Sequence, residues 1–236
     1  HLFLLGDFTV SHNSTWSSKW PKPVFVQTED GIADLDVASF PLATTLQSAW
    51  EPVIALGSEE HDFKTIVIDS ADWLEKLIWD SVCKKGGKDH ISDFGYGKGY
   101  AEAAQKLGAY LSSLNTCRNA GMHVIVIAHA AISRFESPEG ESYDRYAPKL
   151  HRESAAILQE WADEVLFATY KVVTAAKQEG FGRERAVGIG TGERIIKTTE
   201  RPAHNAKNRL GLPDEMSLDF SEYAKFLYPQ GVNVNG

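Results

Sequence analysis

The sequence predicts an α/β fold: a mainly parallel central sheet flanked by helices, with antiparallel strands toward the C-terminus. Three observations carry this. Short β-branched runs, apolar at successive positions, alternate with longer helical stretches. Most of those runs end in a polar or charged residue. The last third changes to a glycine-dense alternation of polar and apolar residues. Strands covered by helices on both faces read as continuous apolar runs, whereas antiparallel ribbons alternate.

In chain order, the strands are expected at Leu2–Leu5, at Val24–Gln27 behind a Pro-Lys-Pro stop, at Thr65–Ile68, at His123–Ala128 and at Glu164–Ala168. Helices fill the gaps at Thr44–Leu56, Ala71–Cys83, Tyr100–Ala120 and Glu153–Trp161. The second of these carries Trp73, Leu74, Leu77 and Ile78 at helical spacing. Crossovers of this length imply βαβ units with right-handed connections. Val172–Thr199 reads as hairpins, Ser217–Leu227 as a closing helix, and Pro229–Gly236 as a loose tail. Residues 1–228 then form one core and 229–236 a tail, with no internal repeat and no linker.

The 236 residues are enough for one large core, and 43% hydrophobic with 24% charged residues is ordinary for a globular chain. A formal net charge of -8 argues against a surface that is basic throughout, so nucleic-acid contact would have to come from local basic loops. Cys83 and Cys117 lack metal-ligand spacing and read as reduced, partly buried thiols. No apolar run is long enough to span a bilayer, and no signal peptide is visible ahead of the first strand. The chain opens without Met and looks trimmed at its start. A cytoplasmic setting without membrane contact is the expectation.

Ligands of open parallel sheets bind beyond the carboxyl ends of the strands, so the residues that follow each strand are the candidates. After the first comes Gly6-Asp7-Phe8-Thr9-Val10-Ser11-His12-Asn13-Ser14-Thr15, the position of a phosphate loop. The sequence departs from GxxxxGK[ST]. If Ser14-Thr15 supply the magnesium-ligating hydroxyl, Asn13 stands at the lysine position and His12 at the glycine position, with Gly6 one residue too far away. Counting from Gly6 instead places His12 at the lysine and Asn13 at the hydroxyl. A polar turn with a Ser or Thr N-cap fits the same residues.

Glu29 follows the second strand and suits a water-orienting base, although acidic turns ending in glycine are common. Asp69 closes the third and suits a Mg²⁺ ligand, while Asp69-Ser70 also suits an N-cap for the next helix. His129 closes the fourth, either as a γ-phosphate sensor or as a hydrogen-bonded histidine beside the core.

With these residues in place, the sequence resembles RecA-like P-loop ATPases. VFVQTEDGIADLD is similar to the segment that carries the family's catalytic glutamate, TIVIDS to its Walker B strand, and VIVIAHA to its sensor strand. DFGYGKGY, YDRYAPKLH, GTGER and AKNRLGLP resemble a narrower group, the phage and prophage nucleotide-binding proteins of the Sak-type single-strand annealing class. The likeness runs from about Leu2 to about Asp219.

This resemblance implies ATP and Mg²⁺ as cofactors, with Glu29, Asp69 and His129 catalytic and with Ser14 and Asp69 on the metal. Gly6, His12, Asn13, Ser14 and Thr15 would face the nucleotide. Lys207 and Arg209, similar to a KNR-type motif, would reach the phosphates of a neighbouring subunit, which implies a ring or filament. Two loops with interleaved basic and aromatic residues, 84–100 and 132–152, would contact single-stranded DNA. Lys98, Arg134, Phe135, Arg145, Tyr146 and Lys149 are the candidate contacts, and glycines 86, 87, 95, 97 and 99 would let the first loop reorder. A phage single-strand-binding protein is a further candidate partner, in the cytoplasm of a bacterial host.

The missing lysine removes a charge-assisted phosphate contact worth roughly 1.5–3 kcal/mol. Two functions therefore compete: an ATP-hydrolysing recombination protein on single-stranded DNA, and a non-hydrolysing DNA- or partner-binding module with the same fold. A RadA-like or helicase-like motor is a third reading, supported only by the KNR-type segment.

Overall fold

Successive side chains of a strand point to opposite faces, and here each face meets its own layer. Val24, Val26, Ile66, Ile68, Val124 and Val126 pack on one side. Phe25, Val67, Ile125 and Ile127 pack on the other. Thr65–Asp69 is buried at every position. This double burial is why the central runs are apolar without alternation.

The computed structural model describes residues 2–7, 10–138, 140–179 and 183–229, with the side chains of residues 2–5, 7, 10–12 and 173–191 outside that description. The central strands are β1 (Leu2–Asp7), β2 (Pro23–Gln27), β3 (Ala38–Ser39), β4 (Thr65–Asp69), β5 (His123–Phe135) and β7 (Glu164–Glu179). They run in the order β3-β2-β4-β5-β1-β7, all parallel. β8 (Arg183–Lys197) and β9 (Glu215–Ser217) continue the sheet antiparallel. β1 lies between β5 and β7, so β5 separates it from β4.

One face is covered by α2 (Leu46–Ser58), α3 (Ala71–Gly86), α4 (Lys98–Asn119) and α5 (Arg152–Trp161). α2 begins at a capping box between Thr45 and Ser48. α3 ends at Gly87, whose left-handed φ of 61 suits glycine. The other face is covered by α1 (Val10–Ser17) and α6 (Phe220–Leu227). There Trp16 meets Trp20 and Tyr223 edge-on, with ring centroids 5.4 and 5.5 Å apart. Cys83 and Cys117 are buried free thiols.

The expected strands and helices are present, with two extensions and one contraction. β5 does not end at Ala128. It continues to Phe135 and folds back as a hairpin with β6 (Tyr143–Pro148). The loop expected from residue 132 is therefore largely strand, because its β-branched and aromatic residues pair across the hairpin, as Ile132 does with Tyr146 and Phe135 with Tyr143. β7 likewise runs beyond Ala168 to Glu179 against β8. The closing helix starts at Phe220 rather than Ser217, behind an Asp219 N-cap, because residues 215–217 pair with β8. Of the expected tail, only Pro229 lies within the described residues.

The 84–100 segment is also more ordered than expected. Ile91–Asp93 and Gly95–Gly97 form short 3-10 turns. Two of its glycines serve packing: a Cβ on Gly86 would lie 2.5 Å from the Phe94 ring, and one on Gly99 would lie 2.7 Å from the Ile91 carbonyl oxygen. Tyr96 stands out from the turn fully exposed, at φ 56.

Candidate nucleotide site

The carboxyl ends of β2 and β4, the middle of β5 and the first helix converge. Backbone pairing fixes the positions: Gln27 lies beside Asp69, Asp69 beside Ile127, and Asp7 beside His129. Thr28 locks β2 to β4. Its N–H donates to Asp69 O at 2.8 Å and its hydroxyl donates to Ser70 O at 2.7 Å, while the Ser70 N–H donates back to Oγ1 at 2.8 Å. Glu29 is the next residue, so this clamp sets its place.

Ser14 Oγ donates to Asp69 Oδ2 at 2.5 Å, across 55 residues of sequence. Both residues are buried, at 1% and 2% exposure. This contact agrees with the alignment that puts Ser14 at the hydroxyl position, on which Asn13 falls at the lysine position. The connection differs from the expected loop. β1 ends at Asp7 and α1 begins at Val10, which places His12, Asn13, Ser14 and Thr15 inside the helix. Thr15 is exposed, and the side chain of His12 lies outside the described residues. Asn13 is buried, and neither atom of its amide has a hydrogen-bond partner among the described residues. Gly6 sits at the end of β1 with its Cα face toward Phe167 and the Ala128 carbonyl.

His129 links two carboxylates. Its Nδ1 lies 2.9 and 3.0 Å from the two oxygens of Asp72, and its Nε2 lies 3.7 Å from Glu29 Oε1. The His129 N–H also donates to Asp72 Oδ1 at 3.3 Å. Asp72 in turn accepts from Ser70 Oγ at 3.0 Å. The Asp72 hydrogen bond raises the His129 pKa above its ordinary value, against an opposing effect of burial. For Asp72, burial pushes upward, but the His129 contacts outweigh it and hold the carboxyl below its usual range.

Burial pushes the Asp69 carboxyl up to about 6; the Ser14 bond opposes this and the nearby Glu29 charge adds to it. Asp69 Oδ1 and Glu29 Oε1 are buried without a hydrogen-bond partner among the described residues. A hydroxyl beside a carboxylate oxygen, with several carboxylates and one histidine around it, is a hard-oxygen set short of positive charge. Magnesium fits such a set.

Asp72 was not among the residues expected at the site. Its signal in the sequence is its place three residues after Asp69, at the start of a helix that packs on the sheet. Thr28 likewise precedes Glu29 without any pattern of its own.

The remaining expected residues lie elsewhere. Lys207 Nζ donates to the carbonyls of Gln159, Glu160 and Ala162 at 3.2, 3.2 and 2.6 Å, closing the C-terminal end of α5 within its own chain. Arg209 is outside, its side chain 61% exposed and paired with Asp163 at 2.7 Å.

On the β5–β6 hairpin, Arg134 pairs with Asp144 at 3.4 Å. Arg145 is 9% exposed, pairs with Glu200 at 2.7 Å and lies over the Phe135 ring. Tyr146 stacks on Phe167 with centroids 5.3 Å apart. Lys98 and Lys149 are exposed.

A mainly parallel sheet with a helix-borne serine meeting a strand-end aspartate two strands away defines a P-loop NTPase-like nucleotide-binding domain. The model of a family described as "AAA domain" matches residues 13–210, most of the chain. The protein belongs to this AAA domain family, whose members are generally ATPases. No curated protein matches the chain. Among the described residues, no helix is long and apolar enough to cross a membrane.

Proposed function

We propose that this chain is a Mg²⁺-dependent ATP-binding and ATP-hydrolysing protein of the Sak-type phage recombination class, acting on single-stranded DNA in the cytoplasm of a bacterial host. The observation that carries the nucleotide reading is the buried Ser14–Asp69 contact at 2.5 Å, flanked by Glu29 and His129. Ser14 and Asp69 would hold the metal, which supplies charge neutralisation to the phosphates when bound. Glu29 would orient and deprotonate the attacking water, and His129 would hold Glu29 from the other side.

The DNA reading rests on the exposed ring of Tyr96, the exposed Lys98 and Lys149, and the partly exposed Phe135 and Arg134. Phosphates would meet the lysines while bases stack on the rings. Arg145 and Tyr146 would support this surface from beneath, given their partners within the fold. For assembly into a ring or filament, the exposed Arg209 would exchange Asp163 for a neighbour's phosphates, since Lys207 is held by three carbonyls. A phage single-strand-binding protein would be a natural further partner on the same strand.

A second reading, a non-hydrolysing module on the same fold, is favoured by Asn13. With Ser14 at the hydroxyl position, its buried amide would stand where a lysine contacts the phosphates. Steady-state ATPase assays of the wild type, Asn13→Lys and His12→Lys, with and without single-stranded DNA, decide between the two. Hydrolysis by the wild type that rises with DNA supports the first. Activity only in Asn13→Lys supports the second. No activity in any of the three, with DNA present, would overturn the hydrolytic reading.

A further inference from the structure

Asp72 is buried on the first turn of α3, with its side chain 4% exposed. It gives both carboxylate oxygens to one ring nitrogen of His129 and also takes the His129 backbone N–H. Ser70 Oγ donates to Oδ1 of the same carboxylate at 3.0 Å. The His129 ring is thus fixed at one edge by a group that cannot rotate freely. Its other nitrogen points to Glu29 Oε1, 3.7 Å away. A carboxylate accepts only, so it requires a proton on the facing Nδ1 and selects the tautomer or charge state that carries one.

We propose that Asp72 is a positioning residue for Glu29 acting through His129: it holds a proton on Nδ1 of an imidazolium ring and turns that ring so that Nε2–H faces the Glu29 carboxylate. This rests on the reading of Glu29 as the water-orienting base. Asp72 itself touches neither water nor nucleotide in this scheme. The logic is that of a buried carboxylate that orients a histidine and stabilises its imidazolium form, so that the far N–H meets the reacting group. Outer partners of this kind typically contribute about 10- to 100-fold to activity.

The test uses the whole chain, uniformly labelled with ¹⁵N, at neutral pH. Two-bond ¹H–¹⁵N spectra report which imidazole nitrogens carry protons, and the His129 signals are assigned by their loss in His129→Gln. The wild type should show protons on both Nδ1 and Nε2. In Asp72→Asn, the pattern should move toward the Nε2–H form usual for a free histidine. An unprotonated Nδ1 or Nε2 in the wild type, or an identical pattern in both proteins, overturns the proposal. Should Asp72→Asn fail to fold, the wild-type pattern alone decides.

ATP turnover gives the second readout. Asp72→Asn should lower kcat about 10- to 100-fold with KM within about twofold, and Asp72→Glu should recover part of the loss. An altered ring state with unchanged kcat would overturn the positioning role. If the wild type does not hydrolyse ATP, the catalytic reading of Glu29 fails, whereas the spectra still decide whether Asp72 sets the His129 protonation state.

Discussion

Replacing Asp69 with asparagine should stabilise the ligand-free protein while abolishing its response to magnesium. The carboxyl is buried and its pKa stands at about 6 instead of 3.8. Below pH 3.8 it is neutral in the folded and unfolded chains alike and costs nothing. Between 3.8 and about 6 the unfolded chain ionises first, so folding loses stability as pH rises. Above about 6 the loss is complete. At about 1.4 kcal/mol per pH unit, the displacement from 3.8 to about 6 amounts to about 3 kcal/mol.

Asparagine carries no charge, and its amide oxygen still accepts from Ser14. Urea unfolding with a chelator present should therefore give nearly equal midpoints for wild type and Asp69→Asn near pH 3.5, and a variant more stable by about 3 kcal/mol at pH 8. Added Mg²⁺ should raise the wild-type midpoint at pH 8 and leave that of the variant unchanged. A variant less stable than wild type at pH 8 would refute the reasoning, because Asp69 would then be a net stabiliser of the empty site.

Two further substitutions test the surrounding framework. Gly99→Ala should destabilise by about 1–3 kcal/mol, because its Cβ would lie 2.7 Å from the Ile91 carbonyl oxygen and 2.8 Å from the Phe94 ring; thermal unfolding measures this, and a neutral result would mean that the 84–100 segment yields easily. Lys207→Met should cost about 1–2 kcal/mol of stability through the freed carbonyls of α5, and it should do so in dilute protein without nucleotide. A stable Lys207→Met that loses only nucleotide-dependent assembly would instead return Lys207 to the neighbouring subunit's phosphates.

The sheet was legible because its strands are short, β-branched and buried on both faces, as Thr65–Asp69 is at every position. The strand-end rule brought out Glu29, Asp69 and His129, since each follows an apolar run. The 132–152 segment was harder to read. Polar and basic residues there suggested an open loop, whereas cross-strand pairs such as Phe135 with Tyr143 make it a hairpin. Its arginines looked free in sequence because their acidic partners, Asp144 and Glu200, are 10 and 55 residues away.

Asp72 was hidden for a related reason: at the start of a helix, an aspartate reads as a cap or a dipole partner. Only the packing of α3 against β5 reveals that it faces His129. The alignment of the first helix is open on spacing alone, and the contact of Ser14 with Asp69 favours the one that puts Ser14 at the hydroxyl position.

That contact makes position 13 the decisive one. The most direct measurement is calorimetric titration of ATP with Mg²⁺ into the wild type and Asn13→Lys. A lysine placed there should tighten binding by about 10- to 100-fold, from a contact of roughly 1.5–3 kcal/mol, and Asp69→Asn should remove the magnesium dependence. No detectable nucleotide binding by either the wild type or Asn13→Lys would contradict the assignment of this site.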